Sequence, residues 1–288
     1  MKTRTLTMLV ALMAALTLSC APKKTVEEKL AEFNQWNETF MDNYRTGLAQ
    51  LAEDQAAAEA FSDSCYEAYV AYNKAALMEN LDNAVGLEAL KQVYSDLETE
   101  ELSDVLARFS APLEGKDSSF VAYLKENVTA SMATLVGKPF TDFAVEHVAG
   151  VDKNGEPVYE TRRLSDYVGK GKTFLVDFWS PWCPPCKAEL PNIKAVWEKY
   201  HGEDFDVLSV AVWEESRGMN WKNTIDTAKV YGIQWNQLNN GHQEPASLYG
   251  IQGIPHMILF GPDGTIIARG DALRGEKLDS AVAAALGK

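Results

Sequence analysis

Residues 173–200 read TFLVDFWSPWCPPCKAELPNIKAVWEKY, and no other segment constrains the fold as tightly. The opening apolar run has strand length and no alternation, which predicts a strand buried on both faces of a sheet. The residues after the second cysteine repeat their apolar positions at helical spacing. A buried strand that passes directly into a helix predicts an α/β sheet. Between the two stand Cys183, Pro184, Pro185 and Cys186. Prolines suit a first helical turn, because its N–H groups lack intrahelical partners and proline's φ is already helical. They also hold two thiols in a stiff frame, near bonding distance. A cysteine at a helix N-terminus meets unpaired N–H groups and the positive end of the helix dipole. Both favour its thiolate, the nucleophile of disulfide exchange.

From Val136 onward the chain alternates between strand and helix patterns. VGKPFTDFAVEHV and PVYETRRL predict two strands around a turn at Asn154-Gly155. FDVLSVAVW predicts a second buried strand, WKNTIDTAKVYG a helix, IPHMILFGPDGTIIARG a hairpin turning at Asp263-Gly264, and EKLDSAVAAAL a closing helix. Residues 26–135 differ. Leu30, Phe33, Phe40, Tyr44, Leu48 and Leu51 recur at steps of three and four, as do Phe61, Cys65, Tyr69, Tyr72 and Ala76. Breakers at 80–86 and 110–119 divide this stretch, and Phe120, Leu124, Val128, Met132 and Leu135 mark a last helix with Ser118 or Ser119 as its cap. The reading is an all-α domain of four or five helices over 26–135, followed by an α/β domain over 136–288.

The chain opens MKTRTLTMLVALMAALTLSC. A short basic start and an apolar run too short to span a bilayer comfortably read as a signal peptide over residues 1–19. Cys20 directly after Ser19 resembles the bacterial lipoprotein signal, which implies a lipidated Cys20 and a tether over 20–25. Simple secretion, with Cys20 removed or left as a thiol, is the alternative. A lipid on Cys20 would place the protein on a membrane face of the cell envelope, toward the periplasm, with inner or outer membrane undecided. The chain carries a net charge of -14, and residues 20–135 hold 9 basic against 21 acidic residues. That balance argues against nucleic acid as a partner. Of the four cysteines, lipidation of Cys20 leaves Cys65, Cys183 and Cys186, too few for a disulfide scaffold. Cys65 lies on an apolar helix face and reads as a small buried hydrophobe rather than a third redox thiol.

VDFWSPWCPPCK, with Ile254-Pro255 about 70 residues later before another strand, resembles the active-site arrangement of the thioredoxin superfamily. Residues 136–288 are similar to its membrane-associated, extracytoplasmic reductase branch. The resemblance implies a thioredoxin-like fold, a central mixed sheet with helices on both faces. It implies that Cys183 is the exposed attacking thiol and Cys186 the buried resolving thiol. Asp177 then matches the buried acid that serves Cys186, and Glu189 the acid of the CxxCxxExP pattern. Trp182, Pro184 and Pro185 flank the substrate, Pro191 kinks the helix, and Ile254 with a cis Pro255 pairs an extended substrate segment. Thioredoxin has a lysine on the strand next to its buried acid; FDVLSVAVW carries none.

Scattered histidines and one close cysteine pair give no zinc ligand set, and neither a Walker loop nor a dinucleotide fingerprint is present. The Cys183-Cys186 disulfide is then the only redox group expected, with no separate cofactor. The activity expected is reduction of protein or small-molecule disulfides, with electrons from a membrane thiol donor. Disulfide oxidase or isomerase activity is one alternative. A redox-controlled binding lipoprotein whose helical domain recruits a partner is another.

Overall fold

The computed structural model describes residues 23–239 and 244–288. The signal peptide and Cys20 expected above lie outside the described residues. The chain divides into two compact units. One holds the described residues up to Asp96 with Phe109–Pro112; the other holds Leu97–Arg108 with Leu113–Lys288.

The first unit is built on α1 (Val26–Gln50), α2 (Gln55–Glu79) and α3 (Ala84–Val93). Each start is capped by a side chain that accepts from an otherwise unpaired N–H: Thr25 in a capping box with Glu28, then Asp54, then Asn83. The aromatic periodicity of the sequence becomes a zip between α1 and α2. Trp36 stacks on Tyr72 with ring centroids 3.5 Å apart, and Tyr44 meets Phe61 at 6.1 Å. Cys65 is half-buried on α2, and burial pushes its thiol up, away from thiolate character.

The second unit begins with α4 (Thr99–Arg108) and α5 (Lys116–Ala133). The helix α5 starts at Lys116 behind Gly115, whose φ is +52°, so neither Ser118 nor Ser119 is its cap. A hairpin of β1 (Ala144–Val151) and β2 (Pro157–Arg163) forms its own two-stranded sheet, its turn held by Asp152, which accepts from the N–H groups of Asn154 and Glu156.

The main sheet has five strands: β3 (Thr173–Trp179), β4 (Phe205–Ala211), β5 (Asn236–Leu238), β6 (His256–Phe260) and β7 (Ile266–Arg269). Their order is β5-β4-β3-β6-β7. The pairs β3–β4 and β4–β5 are parallel, while β3–β6 and β6–β7 are antiparallel, so the sheet is mixed as expected. Every residue of β3 is buried, because apolar side chains pack on both its faces. On one face, Leu175 and Trp179 join Leu190, Ile193 and Val196 of α6 (Pro184–Tyr200) and Leu278 and Val282 of α9 (Lys277–Ala285). On the other, Phe174, Val176 and Phe178 join Phe143, Leu164 and Tyr249, with Ala246 of α8 (Glu244–Leu248). The remaining helix, α7 (Trp221–Tyr231), ends on Gly232 at φ +65°, a left-handed cap that glycine adopts freely. Among the described residues no helix is long and apolar enough to cross a membrane.

Candidate functional site: a dithiol at the start of a helix

The central strand β3 delivers the chain to the sheet's edge of loops, and Cys183 occupies the N-cap of α6. Its sulfur plays the part that a serine or aspartate oxygen usually plays there: the Cys186 N–H donates to Cys183 Sγ at 3.1 Å. Pro184 and Pro185 fill the first two helical positions and are exposed. The two cysteines are joined as a disulfide with Cα atoms 5.3 Å apart. Cys183 was expected to be exposed, yet both residues are almost fully covered, Cys183 at 2 % and Cys186 at 1 % exposure. The cover comes from half-buried Trp182 and Ile254, which pack against the same cluster.

Opposite the pair, the Ile254–Pro255 peptide is cis. It brings the Ile254 carbonyl oxygen 3.6 Å from Cys183 Sγ. An extended segment pairing with this backbone would therefore lie across Cys183 Sγ. Trp182 is pinned on the other side: its indole N–H donates to the Trp213 carbonyl at 3.2 Å, and Arg217 lies 4.9 Å over its ring. Trp213 adopts a left-handed conformation at φ +58°, unusual for a bulky residue and so a site of local strain. Neither Trp213 nor Arg217 stood out in the sequence.

Asp177 sits in the middle of β3, in register with Ser209 on β4 and Met257 on β6. Burial pushes its carboxyl up to about 7, the nearby Glu189 carboxylate pushes the same way, and a hydrogen bond from Ser209 opposes both. Glu189 itself faces away from open solvent on α6. It accepts from Asn192 Nδ2 at 3.0 Å and from the Gly275 N–H at 3.3 Å, and it lies 3.8 Å from Arg274 Nε. Its direct contacts thus tie α6 to the segment before α9. Its reach toward the thiols is through the field it exerts on Asp177. Pro191 lies inside α6, in the turn that follows Glu189.

His256, next to Pro255, belongs to a second cluster. Arg269 donates to the Thr134 carbonyl at 2.6 Å, to Thr134 Oγ1 at 2.8 Å and to the Tyr249 carbonyl at 2.9 Å, and its Nη2 lies 3.3 Å from His256 Nε2. Since a guanidinium only donates, Nε2 accepts. Burial, with the adjacent Arg269 charge, pushes His256 down to about 4, so the ring stays neutral near pH 7. Among the described residues no group of three or more His, Cys, Asp or Glu is placed to hold a metal ion.

Part of this chain resembles known proteins. Residues 136–269 match the model of the AhpC/TSA family. The thiol-disulfide oxidoreductase ResA of Geobacillus thermodenitrificans is 25% identical over 138 residues, covering 48% of this chain and 70% of that protein. ResA of Bacillus subtilis is 25% identical over 116 residues, covering 40% of this chain and 59% of that protein. Among solved structures, the thioredoxin domain of a thiol-disulfide oxidoreductase from Bacteroides vulgatus is 25% identical with a TM-score of 0.40, covering 51% of this chain and 95% of that one. A thiol:disulfide interchange protein from Bacteroides sp. is 25% identical with a TM-score of 0.41, covering 55% of this chain and 93% of that one. The mixed sheet, the Cys183–Cys186 pair at the start of α6 and the family match converge on one region: residues 136–269 have a thioredoxin-like fold and are similar to the AhpC/TSA family.

Proposed function

We propose that this chain is a thiol:disulfide oxidoreductase that reduces protein disulfides through Cys183 and Cys186. The observation that carries the reading is the position of Cys183 Sγ. It accepts the first-turn N–H of Cys186 and lies against the Ile254 carbonyl, so one atom is both stabilised as an anion and presented to a substrate strand. The Cys183 thiolate attacks a substrate disulfide, one substrate sulfur leaves as a thiolate, and a mixed disulfide forms. Cys186 then attacks Cys183, and the second substrate sulfur leaves with the electron pair of the broken bond.

The proposed direction is reductive. A carboxyl buried beneath the pair disfavours a second negative charge on sulfur, and so disfavours the ionised dithiol relative to the disulfide. Electrons then flow more readily from this pair to a substrate. Being oxidised in each cycle, the pair needs a thiol donor, which we place at the membrane. The leader would direct export, and a lipid on Cys20 would hold the protein there, facing the periplasm. Insulin reduction tests the activity, and the Cys183→Ser variant should lose it; turnover equal to the wild type would overturn the reading. A reduction potential close to that of strong oxidants, about −120 mV, would overturn the direction alone.

A further inference from the structure

The proton chemistry of the resolving step needs more than the thiol segment supplies. Asp177 shares the face of β3 that carries Leu175 and Trp179, the face covered by α6 and both cysteines. Its partner in register, Ser209, is the one hydroxyl in an otherwise apolar stretch of β4. The indole N–H of Trp235, just before β5, donates to Ser209 Oγ at 2.9 Å. An indole nitrogen can only donate, so it takes a lone pair of the serine and leaves the serine's single hydrogen to be placed elsewhere. The acceptor in reach is Asp177 Oδ2, at 3.3 Å. Asp177, Ser209 and Trp235 are exposed by only 1 %, 0 % and 6 %, which leaves little room for solvent to reorder these bonds. The next residue, Asn236, donates to Asp206 Oδ2 and the Val207 carbonyl, both at 3.3 Å, and so holds this segment to β4.

The chain of donors therefore has one polarity, from Trp235 to Ser209 to Asp177. Asp177 Oδ2 receives a hydrogen bond from a hydroxyl that has no other choice, while Oδ1 has no hydrogen-bond partner among the described residues. We infer that Ser209, oriented by Trp235, is a positioning residue for proton transfer: it engages Oδ2 and reserves Oδ1 to take the proton of Cys186. This rests on the reading of Cys183 and Cys186 as an oxidoreductase pair. In the mixed disulfide, the Cys186 thiol gives its proton to Asp177 Oδ1. Its sulfur pair forms the bond to Cys183, and the Cys183–substrate bond breaks. The departing electron pair stays on the substrate sulfur, which is then protonated by Asp177 or by solvent. Two electrons leave the cysteine pair and two reach the substrate. Of the groups around Asp177, Glu189 on α6 opposes its ionisation, β6 presents apolar Met257, and α6 also carries Cys186, the thiol whose proton the proposal moves. Ser209 is what favours the carboxylate, and hence the base.

The test separates the two chemical steps with Ellman's reagent on the full chain carrying Cys20→Ala and Cys65→Ala, so that only the pair reacts. The first release of thionitrobenzoate reports attack by Cys183, and the second reports resolution by Cys186. Ser209→Ala should leave the first phase within about twofold. It should move the pH midpoint of the second phase upward by about one pH unit, slowing it about tenfold below the wild-type midpoint. Ser209→Thr, which keeps the hydroxyl, should restore the profile, and Trp235→Phe should shift it in the same direction as the alanine. An unshifted second phase in Ser209→Ala and Trp235→Phe, or a threonine variant as shifted as the alanine, overturns the relay. A first phase that survives Cys183→Ser overturns the oxidoreductase reading instead.

Discussion

Asp177 is a carboxyl in the wrong medium, and the sign of its effect on stability follows from that. Burial, then the Glu189 charge, push it up to about 7 from an ordinary value near 3.8. The folded protein therefore binds this proton more tightly than the unfolded chain does. Its stabilising effect is complete below about pH 4 and is lost as pH rises through about 7. The oxidised protein should lose at most about 4 kcal/mol over that window. Asp177→Asn should flatten the dependence and leave the variant more stable than the wild type at pH 8, as read by urea denaturation; a wild-type slope in the variant would refute this. The two thiols could be singled out in the sequence by their spacing at the start of a helix, and Asp177 and Ile254-Pro255 by the resemblance of their positions to the thioredoxin superfamily. Ser209 and Trp235 could not. Their roles arise from strand register across separations of 32 and 26 residues, which no local pattern encodes. One signal was available: a serine in the middle of FDVLSVAVW, among apolar residues that are buried in the strand and have no local use for a hydroxyl.

At the scale of elements, the long periodic helices and the two Gly-marked hairpins were legible, because burial pattern and turn chemistry are local properties. The three-residue strand β5 and the five-residue helix α8 were not; neither is long enough to show a period. The pattern of α5 showed an apolar face but not what covers it. In the structure, Ser131 Oγ of α5 donates to the Gly250 carbonyl at 3.3 Å. A side chain at Gly250 would collide with Ser131 Oγ and sit 2.7 Å from the Ser131 nitrogen and 2.9 Å from the Asn127 carbonyl, at a φ of +62° that L residues rarely adopt. Gly250→Ala should therefore cost about 3 kcal/mol of unfolding free energy, through overlap and backbone strain together. A loss below about 1 kcal/mol in urea denaturation would show that α5 yields at this contact.

For the whole molecule, the change from helical to alternating grammar at Val136 is not where the compact units divide, since α4 and α5 belong with the sheet. Sequence pattern marks where one kind of element gives way to another, whereas compactness depends on which faces meet. A chain beginning at Leu113 should accordingly melt at least about 5 °C above one beginning at Val136, which lacks α5 and leaves Arg269 without Thr134. Equal melting temperatures would return the boundary to Val136. Arg269 gives this assignment a mechanical meaning. One guanidinium clamps the C-cap residue of α5, Thr134, the carbonyl of Tyr249 and the ring of His256, and His256 follows the cis Pro255 whose preceding carbonyl meets Cys183 Sγ. A tug on the chain where it leaves α5 would therefore travel along a strut one side chain long to the ends of β6 and β7, next to the Ile254–Pro255 peptide.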